Sequence, residues 1–314
     1  MKGNKIAKSK GELMSKKYLV LVVGPTAVGK TELCVSLAQK LHCDIVSCDS
    51  RQFYKEMEIG TAKPSLSEMG GVTHHFINSH SITQTYSAGD YERDVEALLA
   101  TYFVQKDVVI MTGGSGLFVK AITEGLDDMP VVPAELRAQL MQDLADNGVI
   151  FMQEKLKELD PVAFENMDIW NHQRVVRALE VCMHTGKPFS SFKNNLSKKR
   201  DYEIIKIGIQ RPREELYERI NLRVDGMIAK GLLDEVKSLQ AFESHNALQT
   251  VGYKEVFGFF KNEYDFAAMV ELLKRNTRRY AKRQITWFNN QDSFTWFSPK
   301  QFEEILAFVK SKIS

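Results

Sequence analysis

The sequence predicts an α/β protein in which a parallel sheet is flanked by helices and carries an inserted, mainly helical subdomain. Two observations predict this class. Strand-like apolar runs alternate with helical patterns in the order 18–23, 30–41, 44–48, 88–104 and 107–112. Such alternation is typical of a parallel sheet covered by helices. After Gly125 the alternation gives way to helical periodicity alone, which indicates a separate subdomain.

Changes in sequence character divide the chain further. Asp127 to Pro133 has the composition of a linker, and a strand-like run returns at 203–210. Beyond Pro212 the pattern is helical nearly to the end, whereas the lysine-rich first residues contain no apolar stretch. We therefore predict three parts: a disordered basic tail at 1–17, a core at 18–126 and 202–314, and a helical insertion at 127–201.

The first strand leads into GPTAVGKT at 24–31, which matches G-x-x-x-x-G-K-[ST] between a strand and a helix. The glycines let several backbone N–H groups face one anion, and the helix that follows adds its positive end. The expected sheet is therefore of the P-loop NTPase type. Lys30 can reach an outer phosphate, and the Thr31 hydroxyl can hold Mg²⁺. The predicted phosphate-binding residues are Gly24, Pro25, Thr26, Ala27, Val28, Gly29, Lys30 and Thr31.

The ends of the next two strands restrict the chemistry. The run at 107–112 ends in Thr112-Gly113, without the acid that closes a Walker-B strand, which argues against a motor ATPase. The run at 44–48 is followed by Asp49, one strand away from the phosphate loop. A carboxylate there could take a proton from an incoming nucleophile. A helix N-cap or a Mg²⁺-shell role is the alternative.

Composition and charge restrict the partners and the cellular location that can be expected for the protein. The formal net charge is +2, so any affinity for nucleic acid must come from local patches. The four cysteines show no metal-binding spacing, which is typical of a reducing compartment. No apolar run approaches the roughly 20 residues of a membrane-spanning helix. We expect a cytoplasmic protein with no membrane partner, and a monomer.

An ordered set of segments resembles the tRNA dimethylallyltransferase family, also called tRNA isopentenyltransferases. The set begins with GPTAVGKT and DSRQFYKEMEIGTAKP. It continues through the ranges 74–78, 86–90, 113–118, 173–181, 185–190, 251–255 and 277–288. The resemblance implies transfer of a dimethylallyl group from dimethylallyl diphosphate to N6 of adenine at tRNA position 37, beside the anticodon. The partners it implies are the tRNA anticodon stem-loop and dimethylallyl diphosphate, with Mg²⁺ as cofactor.

The resemblance also implies the roles of the catalytic residues. Asp49 would hydrogen-bond adenine N6 and remove its proton, while Lys30 and Thr31 with Mg²⁺ would stabilise the leaving diphosphate. Arg213 matches the family's arginine and would clamp the diphosphate from the other side. On the sequence alone, a surface ion pair with Glu214 or Glu218 is an equal alternative for Arg213.

Contacts to tRNA are expected from three regions. The resemblance places Ser50, Arg51 and Gln52, with Asp49, against the flipped adenine and its neighbours, and it implies a tRNA contact for Ser115. In the insertion, Gln173, Arg174 and Arg177 share a helical face that could meet RNA or be merely solvated. Further expected contacts are Arg137, Val175 and Val176 in the insertion, and Gly252, Tyr253, Lys254, Arg278 and Arg279 in the core. The last two lie in a run of six cations at 274–283, for which a solvated helix is the alternative.

Three other functions compete with this interpretation. An adenylate isopentenyltransferase would use free AMP, ADP or ATP as acceptor. A small-molecule kinase would use the loop for ATP and Asp49 for a hydroxyl. A non-catalytic P-loop RNA-binding module would need neither Lys30 nor Asp49.

Overall fold

The computed structural model describes residues 15–194, 197–291 and 294–313. Most of the predicted tail at 1–17 lies outside these residues. Ser15 and Lys17 are within them, and both side chains bond Asp107.

The described residues contain six strands and eleven α-helices. The strands are β1 (Tyr18–Val23), β2 (Ile45–Ser47), β3 (His74–His75), β4 (Val108–Gly113), β5 (Glu203–Ile209) and β6 (Thr295–Phe297). The helices are α1 (Lys30–Leu41), α2 (Ala88–Tyr102), α3 (Gly116–Thr123), α4 (Ala134–Leu159), α5 (Pro161–Asn166), α6 (His172–Thr185), α7 (Arg213–Ala229), α8 (Leu232–Ser238), α9 (Tyr253–Phe260), α10 (Phe266–Asn289) and α11 (Phe302–Lys312).

All six strands form one parallel sheet in the order β3-β2-β4-β1-β5-β6. This confirms the predicted fold class. The run at 203–210 rejoins the sheet as β5, which pairs directly with β1. Because the strands are parallel, their carboxyl ends share one edge, where ligands bind in sheets of this kind.

The sheet is buried on both faces. Val20 and Val22 of β1 pack with α1, whereas Leu19 and Leu21 pack on the opposite face with Tyr91 of α2. Alternate side chains of a strand point to opposite faces, so an all-apolar strand fits a sheet covered on both sides.

Residues divide into two compact units, 1–123 with 200–314, and 124–199. The second unit has its own core, in which α4, α5 and α6 bury Leu140, Leu156 and Leu179. Gly148 interrupts α4 with a φ of 77°, a conformation that favours glycine.

Candidate functional site

The phosphate loop joins the end of β1 to the start of α1 through an unusual backbone. Gly24, Ala27 and Gly29 all have positive φ, at 154°, 64° and 108°. A Cβ on Gly24 would lie 2.5 Å from the carbonyl oxygen of Ile209, so no other residue fits there without displacing β5. The curled loop leads directly into the positive end of α1.

Lys30 is the first residue of α1, and its side chain reaches back to the start of this loop. Its Nζ donates to the carbonyl oxygens of Gly24 and Pro25, each at 2.8 Å. Burial lowers the pKa of Lys30 to about 8, and the Asp49 carboxylate partly opposes that shift. Lys30 therefore lies under the influence of Asp49, as expected if the two face one cleft.

Arginines from the β5–α7 region hold the loop from its other side. Arg211 Nε donates to the Val28 carbonyl at 2.7 Å, and Arg219 Nε donates to the Ala27 carbonyl at 2.8 Å. Arg223 lies next to the Thr26 hydroxyl at 3.5 Å. Burial and the neighbouring Arg219 lower the pKa of Arg223.

Arg213, expected to clamp the diphosphate, does not lie at the loop. Its exposed guanidinium stacks over the Tyr217 ring at 5.1 Å, and it does not line the cleft that contains the phosphate loop. It is the first residue of α7, whereas Arg219 and Arg223, four residues apart, share the helix face that meets the loop. The structure therefore places Arg219 and Arg223 where Arg213 was predicted.

Gln284 of α10 braces the loop and was not singled out from the sequence. Its buried side chain accepts from the Thr26 N–H at 2.9 Å and donates to the Gly114 carbonyl at 3.0 Å. These two bonds join the phosphate loop to the end of β4. The residue lies in TRRYAKRQITWF, a segment in which cations, and not Gln284, were predicted to contact the ligand.

Asp49 follows β2 and faces the same cleft. Its Oδ1 accepts from the Arg51 N–H at 3.0 Å, which fixes the carboxylate. The Ser115 hydroxyl accepts from the Ser50 N–H at 3.0 Å and donates to the Ser50 hydroxyl at 3.1 Å. The predicted Asp49, Ser50 and Ser115 are thus brought together.

Arg51 and Gln52 are held in place by backbone carbonyls. Arg51 donates to the carbonyls of Asn246 and Ala247 at 3.0 and 3.1 Å. Gln52 donates to the carbonyls of Thr61 and Ala62 at 3.3 and 3.4 Å, and both Arg51 and Gln52 line the cleft.

The cleft itself has a volume of about 1290 Å³. Its lining includes residues 26–31 of the phosphate loop, residues 58–65 with Ser67 and Glu68, Thr112 at the end of β4, and Tyr280 of α10. Burial, with the Asp49 carboxylate nearby, raises the pKa of Tyr280, so this phenol stays protonated. Such a cleft can hold a polyphosphate and a second, larger group together.

Within the insertion unit, the expected tRNA contacts separate into exposed and buried residues. Gln173 and Arg174 are exposed at the start of α6. Val175 and Val176 are fully buried in the core of that unit, so the prediction that they touch tRNA is wrong. Their apolar side chains follow the helix face opposite Gln173 and Arg174.

Arg137 and Arg177 share one buried carboxylate. Arg137 contacts Glu180 Oε1 at 2.7 Å, and Arg177 contacts Glu180 Oε2 at 3.1 Å. Arg137 also donates to the Gln173 amide oxygen at 2.7 Å. These contacts fix both arginines at a partly exposed edge of the unit.

The residues of the segment 252–254 also differ in exposure. Tyr253 is fully buried and donates to Glu235 at 2.7 Å, and Gly252 is buried as well. The expected direct contact of Tyr253 with tRNA is therefore wrong, whereas Lys254 is exposed and free to meet a ligand from solvent.

The cationic run on α10 is partly neutralised. Lys274 pairs with Asp225 at 2.7 Å, and Arg278 donates to Asn221 at 2.6 Å. The exposed cations of the run are Arg275, Arg279, Lys282 and Arg283. Arg278 therefore ties α10 to α7, and the basic surface is formed by its neighbours.

Two kinds of feature are absent from the described ranges. No group of three or more His, Cys, Asp or Glu side chains there could hold a metal ion. Likewise, no helix within them has the length and apolar character to cross a bilayer.

A parallel sheet, a glycine-framed phosphate loop and a cleft at the strand ends together define a P-loop α/β protein. The family described as IPP transferase matches residues 52–291. A tRNA dimethylallyltransferase of Christiangramia forsetii is 47% identical over 95% of this chain and 99% of its own length. A tRNA dimethylallyltransferase of Cytophaga hutchinsonii is 48% identical over 95% and 98%.

The chain is also similar to solved structures. The tRNA isopentenylpyrophosphate transferase of Bacillus halodurans has a TM-score of 0.70 at 36% identity and covers 95% of this chain and 97% of its own. The fold also matches that of a eukaryotic dimethylallyltransferase acting on tRNA, at a TM-score of 0.79 and 24% identity. The chain belongs to the IPP transferase family.

Proposed function

We propose that this protein transfers a dimethylallyl group from dimethylallyl diphosphate to the exocyclic N6 of adenine at position 37 of tRNA. The observation that carries the proposal is one cleft with a phosphate loop at one side and the fixed Asp49 carboxylate facing it. Relatives at 47% and 48% identity that are named tRNA dimethylallyltransferase support the same reaction.

The reaction needs a base because the N6 lone pair is delocalised into the adenine ring. Asp49 would accept the N6 proton as the new C–N bond forms and the bond from carbon to the diphosphate oxygen breaks. Lys30 and the amides of the phosphate loop would stabilise the charge that develops on the leaving diphosphate. Arg219 and Arg223 lie beside the same loop and would take the clamping role.

Mg²⁺ fits this end of the cleft. The Thr31 hydroxyl lines it, and Mg²⁺ usually takes few protein oxygens beside substrate phosphates and waters. When bound, the ion would neutralise charge on the diphosphate.

The acceptor would enter from the opposite side of the cleft. A base in the anticodon loop must leave its stack, at a cost of about a few kcal/mol, to reach Asp49. Ser50, Arg51 and Gln52 would compensate by contacting the flipped base. In the insertion unit, Gln173 and Arg174 would contact the tRNA, and in the core unit the exposed cations of α10 would do so. The protein would act in the cytoplasm as a monomer.

The experiment that tests this function compares acceptors. Purified protein is incubated with Mg²⁺ and labelled dimethylallyl diphosphate, together with unmodified tRNA, with a tRNA carrying G in place of A37, or with AMP. We expect label in the first tRNA alone. Labelled AMP with unlabelled tRNA would indicate an adenylate isopentenyltransferase, and label in none would refute the proposal.

A further inference from the structure

One carboxylate outside the reaction scheme accepts four hydrogen bonds. Glu235, in the first turn of α8, accepts through Oε2 from the N–H groups of Glu58 at 3.0 Å and Ile59 at 2.6 Å. Its Oε1 accepts from the N–H of Gly60 at 3.0 Å and from the Tyr253 hydroxyl at 2.7 Å. Three consecutive N–H groups directed at one anion form a backbone nest, here filled by a side chain of the protein itself.

Glu235 thereby joins two segments that line the cleft. Residues 58–63 form one part of the lining, and residues 250–252, directly before Tyr253, form another. The two segments meet closely, because a Cβ on Gly60 would lie 2.6 Å from the Tyr253 ring. Burial and the Glu235 carboxylate raise the pKa of Tyr253, so its hydroxyl remains a donor.

The 58–60 turn, which Glu235 holds in place, is linked to Gln52. The Ala62 N–H donates to the Ile59 carbonyl at 3.0 Å, which closes the turn directly after the nest. The carbonyls of Thr61 and Ala62 then accept from the Gln52 side-chain amide at 3.3 and 3.4 Å. A continuous hydrogen-bonded path therefore runs from Glu235 to Gln52.

The phosphate loop is held by different residues. Its described supports are Gln284, Arg211, Arg219 and Arg223, none of which hydrogen-bonds to Glu235 or to residues 58–62. A change at Glu235 should therefore affect the side of the cleft that carries Gln52 and leave the diphosphate side intact.

We infer that Glu235 is a positioning residue for the acceptor: its carboxylate fixes the 58–60 turn and thereby directs Gln52 toward the flipped base. This inference rests on the proposed function, in which Gln52 contacts that base. It assigns Glu235 no contact with either substrate.

The first test is Glu235→Gln, which replaces one oxygen acceptor by an NH₂ group that cannot accept. We expect KM for tRNA to rise about tenfold, the size expected for lost hydrogen bonds to a charged group, with KM for dimethylallyl diphosphate unchanged. Tyr253→Phe removes one donor of the four and should give a smaller rise in the same direction. The matched control is Glu243→Gln, which removes a surface carboxylate that binds Lys261 at 2.6 Å and should change neither constant.

Chemical rescue separates positioning from a general structural role. Glu235→Ala leaves the three N–H groups without their anion, so added formate should restore much of the lost tRNA affinity, while chloride at equal ionic strength should not. An unchanged KM for tRNA in both Glu235 variants would overturn the inference. So would an equal rise in both KM values with no response to formate.

Failure of the proposed function gives a different result. If the wild-type protein transfers no label to tRNA, the proposed reaction is refuted. The role of Glu235 can then be tested by amide hydrogen exchange, which does not depend on catalysis. Faster exchange at residues 58–60 in Glu235→Ala, reversed by formate, would support the positioning role. Exchange identical to wild type would overturn it.

Discussion

Replacing Gln284 by leucine should loosen the phosphate loop and lower the free energy of unfolding. The buried Gln284 amide makes two hydrogen bonds, to the Thr26 N–H and the Gly114 carbonyl, at 2.9 and 3.0 Å. Leucine is close in volume, so little cavity forms, but both backbone groups lose their partner. Each buried group left unsatisfied costs about 1–3 kcal/mol, so the two together give a destabilisation of roughly 2–6 kcal/mol.

The assay for Gln284→Leu is thermal unfolding with and without Mg²⁺ and inorganic diphosphate. A loss of this size should lower Tm by roughly 3–9 °C in a chain of this length and weaken diphosphate binding as well. The control is Gln105→Leu, a change to an exposed side chain in the turn after α2, which should leave both values unchanged. If Tm and diphosphate affinity both match wild type in Gln284→Leu, the bonds do not restrain the loop and our reasoning is wrong.

Three further predictions test the charges around the cleft. Arg223→Ala should raise KM for dimethylallyl diphosphate by roughly tenfold or more, because it removes a cation beside Thr26, whereas Arg213→Ala should not change it. The reverse order in steady-state kinetics would restore the role first assigned to Arg213. Arg279→Ala combined with Lys282→Ala should weaken tRNA binding and reduce the slope of log Kd against log salt by about 1–2, since each exposed cation can release about one counterion. An unaltered slope in filter-binding titrations would identify these side chains as merely solvated. The pKa of free Lys30 is about 8 and bound diphosphate should hold its proton, so diphosphate affinity should fall above that pH, by up to about tenfold per pH unit. Lys30→Arg should remove this dependence in calorimetric titrations from about pH 7 to 10, and a flat wild-type profile would contradict it.

Much of the core could be predicted because its signals are local. The buried run of β1 and the glycine spacing that follows it fix a strand, a turn and a helix without reference to the rest of the chain. By contrast, β3 and β6 contain two and three residues. Segments that short show no periodicity, and they become strands by pairing with β2 and β5.

The site was predicted less completely because it depends on contacts that are distant in sequence. Gln284 lies 258 residues from Thr26, and no local pattern connects them. Which of Arg213, Arg219 and Arg223 faces the phosphate loop depends on how α7 is rotated about its own axis, and the sequence does not show that rotation. Burial could have been anticipated for Val175 and Val176, since two apolar residues within a helix normally face the core.

The most direct test of the central claim is the rate of a single turnover in Asp49→Asn with both substrates saturating. If Asp49 removes the N6 proton, transfer should fall by about 10²–10⁴-fold while the Kd for tRNA stays near that of wild type. A wild-type transfer rate in Asp49→Asn would show that Asp49 is not the base.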